Sequence, residues 1–222
     1  MTKQDAAGTA QPRPRAVSPG RPPKSEEAAR LRHVLGVASA EFVRHGYAGA
    51  NVSRIAGDAG VSKKTIYARY PRKADLLVAV VSDLATRYYE GVMAAMSASA
   101  GDPEHVLESF GSQAARNWAT PEAVGVYRLV VSEVARFPEL ASIYRNTMDR
   151  FRTTLAEYLS EQSAAGTLDI ADADAASHQF GMLVYGEIRE KALLGETVTD
   201  DHIDAVVRRA VRVFLTGYAV RA

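Results

Sequence analysis

Apolar residues recur every three or four positions along most of this 222-residue chain. The first stripe is Leu31, Val34, Leu35, Ala38 and Phe42, one face of a helix. Ser25 is placed to cap that helix, with Glu26 and Glu27 against the positive end of its dipole. Gly46 closes it. Short helices are predicted over 52–59 and 63–70, and a long one over 72–98 with Leu76, Leu77, Val80, Leu84, Tyr88 and Val92 inward. Asp102-Pro103-Glu104 and Thr120-Pro121-Glu122 each set an N-cap, a proline at the first helical position and an acid behind it. Phe137-Pro138 separates two further helices, and Gly166 ends the second. Asp172 opens a helix reaching Leu194, with Gly195 behind it, and Thr199-Asp200-Asp201 opens the last. The expectation is nine helices, no strand and an all-α fold.

The last two long helices are the most apolar. One carries Ala176, Phe180, Leu183, Val184, Ile188 and Leu193, with Gly181 and Gly186 permitting close approach. The other carries Ile203, Val206, Val207, Ala210, Val211, Phe214 and Leu215 at helical spacing. Two readings stand open here: burial inside one subunit, or a face that pairs with a second copy.

The stretch 51–70 has a more specific pattern. Ala56, Gly60, Val61 and Ile66 have the spacing of a helix-turn-helix. Ala56 is small where a second helix crosses, and Gly60 can take the positive φ of a tight turn. Ser62 is a candidate N-cap, which puts Val61 and Ile66 at the two positions of a hydrophobic staple. Lys63, Lys64, Thr65, Tyr67 and Arg69 remain outward, with no carboxylate between Val61 and Tyr70. An ordinary helical hairpin can share the spacing. The basic, hydroxyl-rich outer face points to DNA.

Charge supports that division. The chain's net charge is only +1, but residues 1–75 hold 14 Lys and Arg against 6 Asp and Glu, while residues 76–222 hold 13 against 20. A basic end joined to an acidic remainder suggests a polyanion-binding head and a body with another task. Residues 1–24 contain five of the nine prolines together with Lys3, Arg13, Arg15, Arg21 and Lys24. They read as a disordered basic arm, either a solvated tail or an arm that reaches a neighbouring groove.

Several function classes fall away. There is no cysteine, hence no disulfide, thiolate nucleophile or Cys-based metal site, which fits a reducing cytoplasm. The apolar run 76–81 is far too short to span a bilayer, and the N-terminus lacks a signal-peptide core. No Gly-rich phosphate loop, Gly-x-Ser-x-Gly or Glu-x-x-His pair is present. Asp174 and His178 have metal-ligand spacing, but one pair is weak. No enzyme activity, cofactor, metal site or membrane partner is expected.

Gly46-Tyr47, Val52-x-x-Ile55-Ala56, Ala59-Gly60-Val61-Ser62-Lys63, Thr65-Ile66-Tyr67, Tyr70-Pro71, Lys73 and Leu76-Leu77 together resemble the TetR/AcrR family of bacterial transcriptional regulators. The resemblance is dense over 30–77. Residues 128–146 look like the regulatory domain of the AefR-like branch. The resemblance implies a helix-turn-helix domain over 25–71 and a helical regulatory and dimerisation domain over 72–222. It implies phosphate contacts from Tyr67 and Lys73, and further DNA contacts from Asn51, Ser53 and Arg54 at the start of the second helix. Base reading would fall to Lys63, Lys64, Thr65 and Arg69, with Ser62 at the same helix end. Three positions depart from the pattern: Asn51 stands for the usual Thr or Ser, Ala68 for a larger residue, and Arg72 for a capping Ser. Arg72 would exchange a cap for a possible phosphate contact.

The resemblance further implies a homodimer on a palindromic operator in double-stranded DNA, with recognition helices about 34–36 Å apart. Phe180, Val184, Ile188, Val207, Val211 and Phe214 are the candidate interface residues. A small-molecule inducer of unknown identity would bind among helices four to eight. Trp118, Tyr127, Arg128, Phe137, Tyr144, Met148, Phe151 and Tyr185 are candidates for its pocket, because such sites need aromatics with a few polar groups. The expected function is a cytoplasmic, nucleoid-associated repressor released from its operator by a ligand. The alternatives are a non-specific architectural DNA binder without an inducer, and a ligand-binding protein whose DNA head no longer functions.

Overall fold

The computed structural model describes residues 24–99 and 101–220. Nine helices follow one another in the described residues: α1 (Lys24–Gly49), α2 (Val52–Asp58), α3 (Lys63–Arg69), α4 (Lys73–Ala98), α5 (Pro103–Ala119), α6 (Pro121–Glu133), α7 (Pro138–Ala164), α8 (Ala173–Leu194) and α9 (Asp200–Gly217). The punctuation works as its chemistry requires. Asp102 and Thr120 accept from the first-turn amides of α5 and α6, each followed by proline. Asp172 and Thr199 do the same for α8 and α9. Gly195 ends α8 with φ of 84°. Gly46 breaks α1 with φ of 66° and ψ of 173°, so the residues after it form a separate turn. Among the described residues α1 begins at Lys24, which places Ser25 at a helical position. The expected arm lies outside the described residues, except for Lys24.

Two cores form. The first gathers Val34, Ala38 and Phe42 of α1, Ile55 of α2, Ile66 of α3 and Leu76, Leu77 and Val80 of α4, then continues into Val126, Leu129 and Val130 of α6 and Leu140 of α7. It therefore crosses the expected domain boundary at 71/72. The second is built from Leu107 and Phe110 of α5, Leu155 and Leu159 of α7, and the inner faces of α8 and α9. Helices α1 and α6 approach closely because Gly125 has no side chain: a Cβ there would lie 2.3 Å from Cγ1 of Val43. Polar ties reinforce the joint. Ser39 donates to Glu122 at 3.0 Å, and Arg87 of α4 spans Asp83 at 2.9 Å and Glu122 at 3.0 Å.

The candidate interface residues need correction. Phe180, Val184, Ile188, Val207, Val211 and Phe214 are each at most 2% exposed within a single subunit. Phe180 packs edge-on to Phe214 and tilted against Phe110, with centroids 5.2 and 6.3 Å apart. Their helical stripe is the subunit core, and a side chain sealed inside one copy cannot contact another. The apolar residues that α8 and α9 leave exposed are others: Met182, Leu183, Leu194 and Val213.

Candidate nucleic-acid interface and ligand cavity

The turn between α2 and α3 is made locally. Gly60 adopts φ of 64°, and the Val61 amide donates back to Ala56 O at 3.0 Å. Ser62 Oγ accepts from the Thr65 amide at 3.0 Å and lies 2.7 Å from Thr65 Oγ1, so Ser62 caps α3. Ile66 is the buried residue of α3. Lys63, Lys64, Thr65, Tyr67 and Arg69 are all exposed along the helix, with the Lys63 ammonium 5.7 Å from the Tyr67 ring centroid. The outward face is thus cationic and free of acid, suited to phosphate oxygens and to guanine and thymine edges.

The other candidate DNA residues have structural partners. Asn51 caps α2, accepting from the Ser53 amide at 2.8 Å. The Arg54 guanidinium donates to Glu41 Oε1 at 2.6 and 3.0 Å and to Gly49 O at 2.9 Å. Lys73 Nζ donates to Ala48 O at 3.2 Å and Ala50 O at 3.1 Å, over the Tyr47 ring at 4.7 Å. Arg72 has a guanidinium paired with Asp75 and a backbone amide that donates to Asp75 Oδ2 at 2.9 Å. An arginine has no acceptor, so only the Asp75 half of a capping box exists at α4. Arg72 is held by this acid, which competes with the expected phosphate contact.

Sequence reasoning missed Glu41. This carboxylate is buried on α1, accepts the Asn51 amide at 2.8 Å as well as Arg54, and lies 3.6 Å from His45. Arg54 beside it, helped by the Asn51 amide, holds its carboxyl below the usual carboxylate range against the opposing effect of burial. Glu41 thereby fixes the start of α2 on α1. Its position one residue before the buried Phe42 was the available signal, but its partner lies 13 residues on.

A second feature lies in the acidic body. Helices α4 to α8 enclose a cavity of about 350 Å³. Six of the eight pocket candidates line it: Trp118, Tyr127, Tyr144, Met148, Phe151 and Tyr185. Trp118 stands edge-on to Tyr127 at 5.3 Å and tilted to Tyr185 at 6.1 Å, and Tyr127 lies 5.6 Å from Tyr144. Burial pushes the Tyr144 and Tyr185 phenols up, so they stay neutral donors at neutral pH. The remaining two candidates lie elsewhere. Arg128 is exposed and donates to Leu193 O at the end of α8. Phe137 packs edge-on to Tyr47 at 4.8 Å in the first core, because the proline behind it starts α7 beside the DNA head.

Sequence pattern did not assign Val81, Leu84 and Tyr88 of α4, Asn117 of α5, or His178, Gly181 and Arg189 of α8 to the cavity. The α4 residues form an inward stripe, which does not distinguish a cavity wall from a filled core. Asp174 faces Arg152 at 3.8 Å. Among the described residues no group of three or more His, Cys, Asp or Glu side chains could hold a metal, and no helix is long and apolar enough to cross a membrane.

Known proteins share this architecture. Residues 34–80 match the family described as bacterial regulatory proteins, tetR family, and residues 105–220 match the C-terminal domain of AefR-like transcriptional repressors. The chain is 26% identical over 205 residues to an uncharacterised HTH-type transcriptional regulator of Mycobacterium tuberculosis, covering 92% of this chain and 93% of that one. Among solved structures, a TetR-family regulator of Mesorhizobium loti superposes with a TM-score of 0.79 at 21% identity, over 87% of this chain and 98% of the other. The flavonoid-responsive regulator FrrA superposes with a TM-score of 0.66 at 28% identity, over 88% and 100%. With a helix-turn-helix head and a helical body each matched to the same family, this chain belongs to the TetR family of bacterial transcriptional regulators, a family of DNA-binding proteins and not of enzymes.

Proposed function

We propose that this regulator is a cytoplasmic, homodimeric repressor that binds a palindromic operator through α3 and leaves it when a small molecule enters the α4–α8 cavity. The observation that carries the reading is the acid-free α3 face of Lys63, Lys64, Thr65, Tyr67 and Arg69, exposed on a capped and buried helix-turn-helix. Tyr67 anchors phosphate, and Lys63, Lys64 and Arg69 read bases. Arg54 and Lys73 act first by positioning α2 and α4. The exposed α8–α9 face with Met182, Leu183 and Val213 meets its twin. FrrA, named for its response to flavonoids, supports ligand control by example.

The cavity supports a route to the DNA head. Val81, Leu84 and Tyr88 in its wall belong to α4, and the first turn of that helix holds α1 through Lys73. A ligand that favours one tilt of α4 changes the spacing of the two heads. A coupling of about 1–3 kcal/mol would change operator affinity roughly 5–150-fold.

The test is fluorescence anisotropy on a labelled duplex from upstream of the regulator's own gene, titrated with unrelated competitor DNA. Tight binding that survives excess competitor is expected. If binding disappears with competitor, and sites selected from random DNA show no consensus, the protein is a non-specific binder and the repressor reading fails.

A further inference from the structure

The cavity carries one cation without an acidic counterpart. Arg152 at its rim is answered by Asp149 at 3.4 Å and Asp174 at 3.8 Å. Arg189 has no carboxylate partner among the described residues. Its guanidinium lies 5.5 Å from the centroids of both Trp118 and Tyr185 and hydrogen-bonds the Tyr144 hydroxyl. A guanidinium has five N–H donors in its plane, so the one given to Tyr144 leaves others available for a carboxylate. Half-buried among aromatic rings, that edge has the neutral Tyr144 phenol as a partner but no carboxylate to balance its charge.

The same rings define the shape of the rest of a ligand. Trp118, Tyr127, Tyr144 and Tyr185 make a wall of tilted and edge-on faces, which favours a planar aromatic body in an offset or edge-to-face arrangement. Tyr185 lies down over Gly181, where a Cβ would come within 2.9 Å of the ring. The missing side chain at 181 therefore sets that ring back and keeps the cavity open. An aromatic cage alone would also suit a quaternary ammonium. Here Arg189 already holds the π faces of two of the rings and would repel a second cation.

We infer that the cavity selects an anionic aromatic ligand, an aromatic carboxylate or acidic phenol, with its negative group on Arg189 and its ring among Trp118, Tyr127, Tyr144 and Tyr185. This inference rests on the cavity being the effector site. It adds what the effector is: one negative charge on a flat ring.

Isothermal titration calorimetry on the full-length protein tests it with matched probes: naphthalene-2-carboxylate, its neutral carboxamide, a naphthyl trimethylammonium and decanoate. The carboxylate is expected to bind about ten- to a hundredfold tighter than the carboxamide, the worth of one charge-assisted hydrogen-bonded pair. The ammonium should bind weakest. Arg189→Gln should erase the carboxylate's advantage while leaving the carboxamide unchanged, and Arg189→Lys should retain part of it. Gly181→Ala, which pushes the Tyr185 ring, should weaken all aromatic probes alike. Equal or tighter binding of the carboxamide or the ammonium overturns the inference, as does an Arg189→Gln variant with an unchanged ratio. Decanoate binding above naphthalene-2-carboxylate overturns its aromatic half. In all those outcomes the cavity survives as a ligand site. If no probe of any charge binds, the effector-site reading falls as well.

Discussion

Glu41 shows how one side chain can set the docking of a recognition unit. It accepts from the Asn51 amide and the Arg54 guanidinium together, so removing its charge weakens both bonds and adds an N–H group where an acceptor stood. Arg54 is half-exposed, which screens the pair, and Glu41→Gln is expected to cost about 1 kcal/mol at neutral pH. The sign with pH follows from the lowered pKa. The stabilisation is present above the unfolded carboxylate value and is lost as pH falls through the folded one. Thermal melts should therefore show wild type and Glu41→Gln converging towards acid pH and separated at neutral pH. Separation that grows in acid would contradict the assignment. The DNA face divides in the same manner. Tyr67→Phe should weaken all sequences alike. Lys63→Ala and Arg69→Ala should also relax specificity, by about 1–3 kcal/mol for each base that is no longer read. Lys73→Ala should lower the melting temperature as well as DNA affinity, because its ammonium ties down the end of α1. Identical behaviour of all four variants in competition assays would abolish the distinction between anchor and reader.

At the scale of elements, the helix starts and stops were legible because they rest on local chemistry. Asp102-Pro103, Thr120-Pro121, Asp172 and Thr199 each cap where their side chains predict. The recognition helix was legible for the same reason: Ser62, Ile66 and Gly60 act within a few residues of one another. What was not legible needed partners distant in sequence. A 3.6-residue stripe on α8 and α9 says that a face is covered, but not whether its own chain or a twin covers it, and here the chain's own α5 lies against it. Arg128 and Phe137 failed as pocket residues because composition near a cavity does not give direction. The α1–α6 joint is equally non-local. Gly125→Ala should destabilise by about 1–3 kcal/mol through overpacking against Val43. Val43→Ala in the same molecule should recover most of that loss in denaturant melts. Without recovery, the close approach at Gly125 is not what the glycine serves.

At the scale of the molecule, the first core does not stop where the DNA head does. It runs from α3 through α4 into α6 and α7, so the head has a packed path to the cavity walls on α4 and α6. One expectation concerns assembly. Leu183→Asp places a charge on the exposed α8 face without touching the sealed stripe beneath. Sedimentation should then show a monomer with an unchanged fold, and affinity for a palindromic site should fall far more than affinity for a half-site. A dimer that persists would move the interface elsewhere.

The chain has a single tryptophan, and the fold places it in the cavity wall beneath Arg189. The indole is therefore a built-in optical gauge of that chamber, with no competing emitter of its kind in the protein. On the proposed mode of binding, operator DNA would dock at the N-terminal end of α4 and would not touch it. Any change in Trp118 emission when operator is added must have travelled through the protein, so the amplitude of that signal reports the communication between the two ends without a label or an identified effector. Silence on DNA binding, in a protein that still releases DNA when the cavity fills, would mean that the two ends communicate by a path that leaves this wall unmoved.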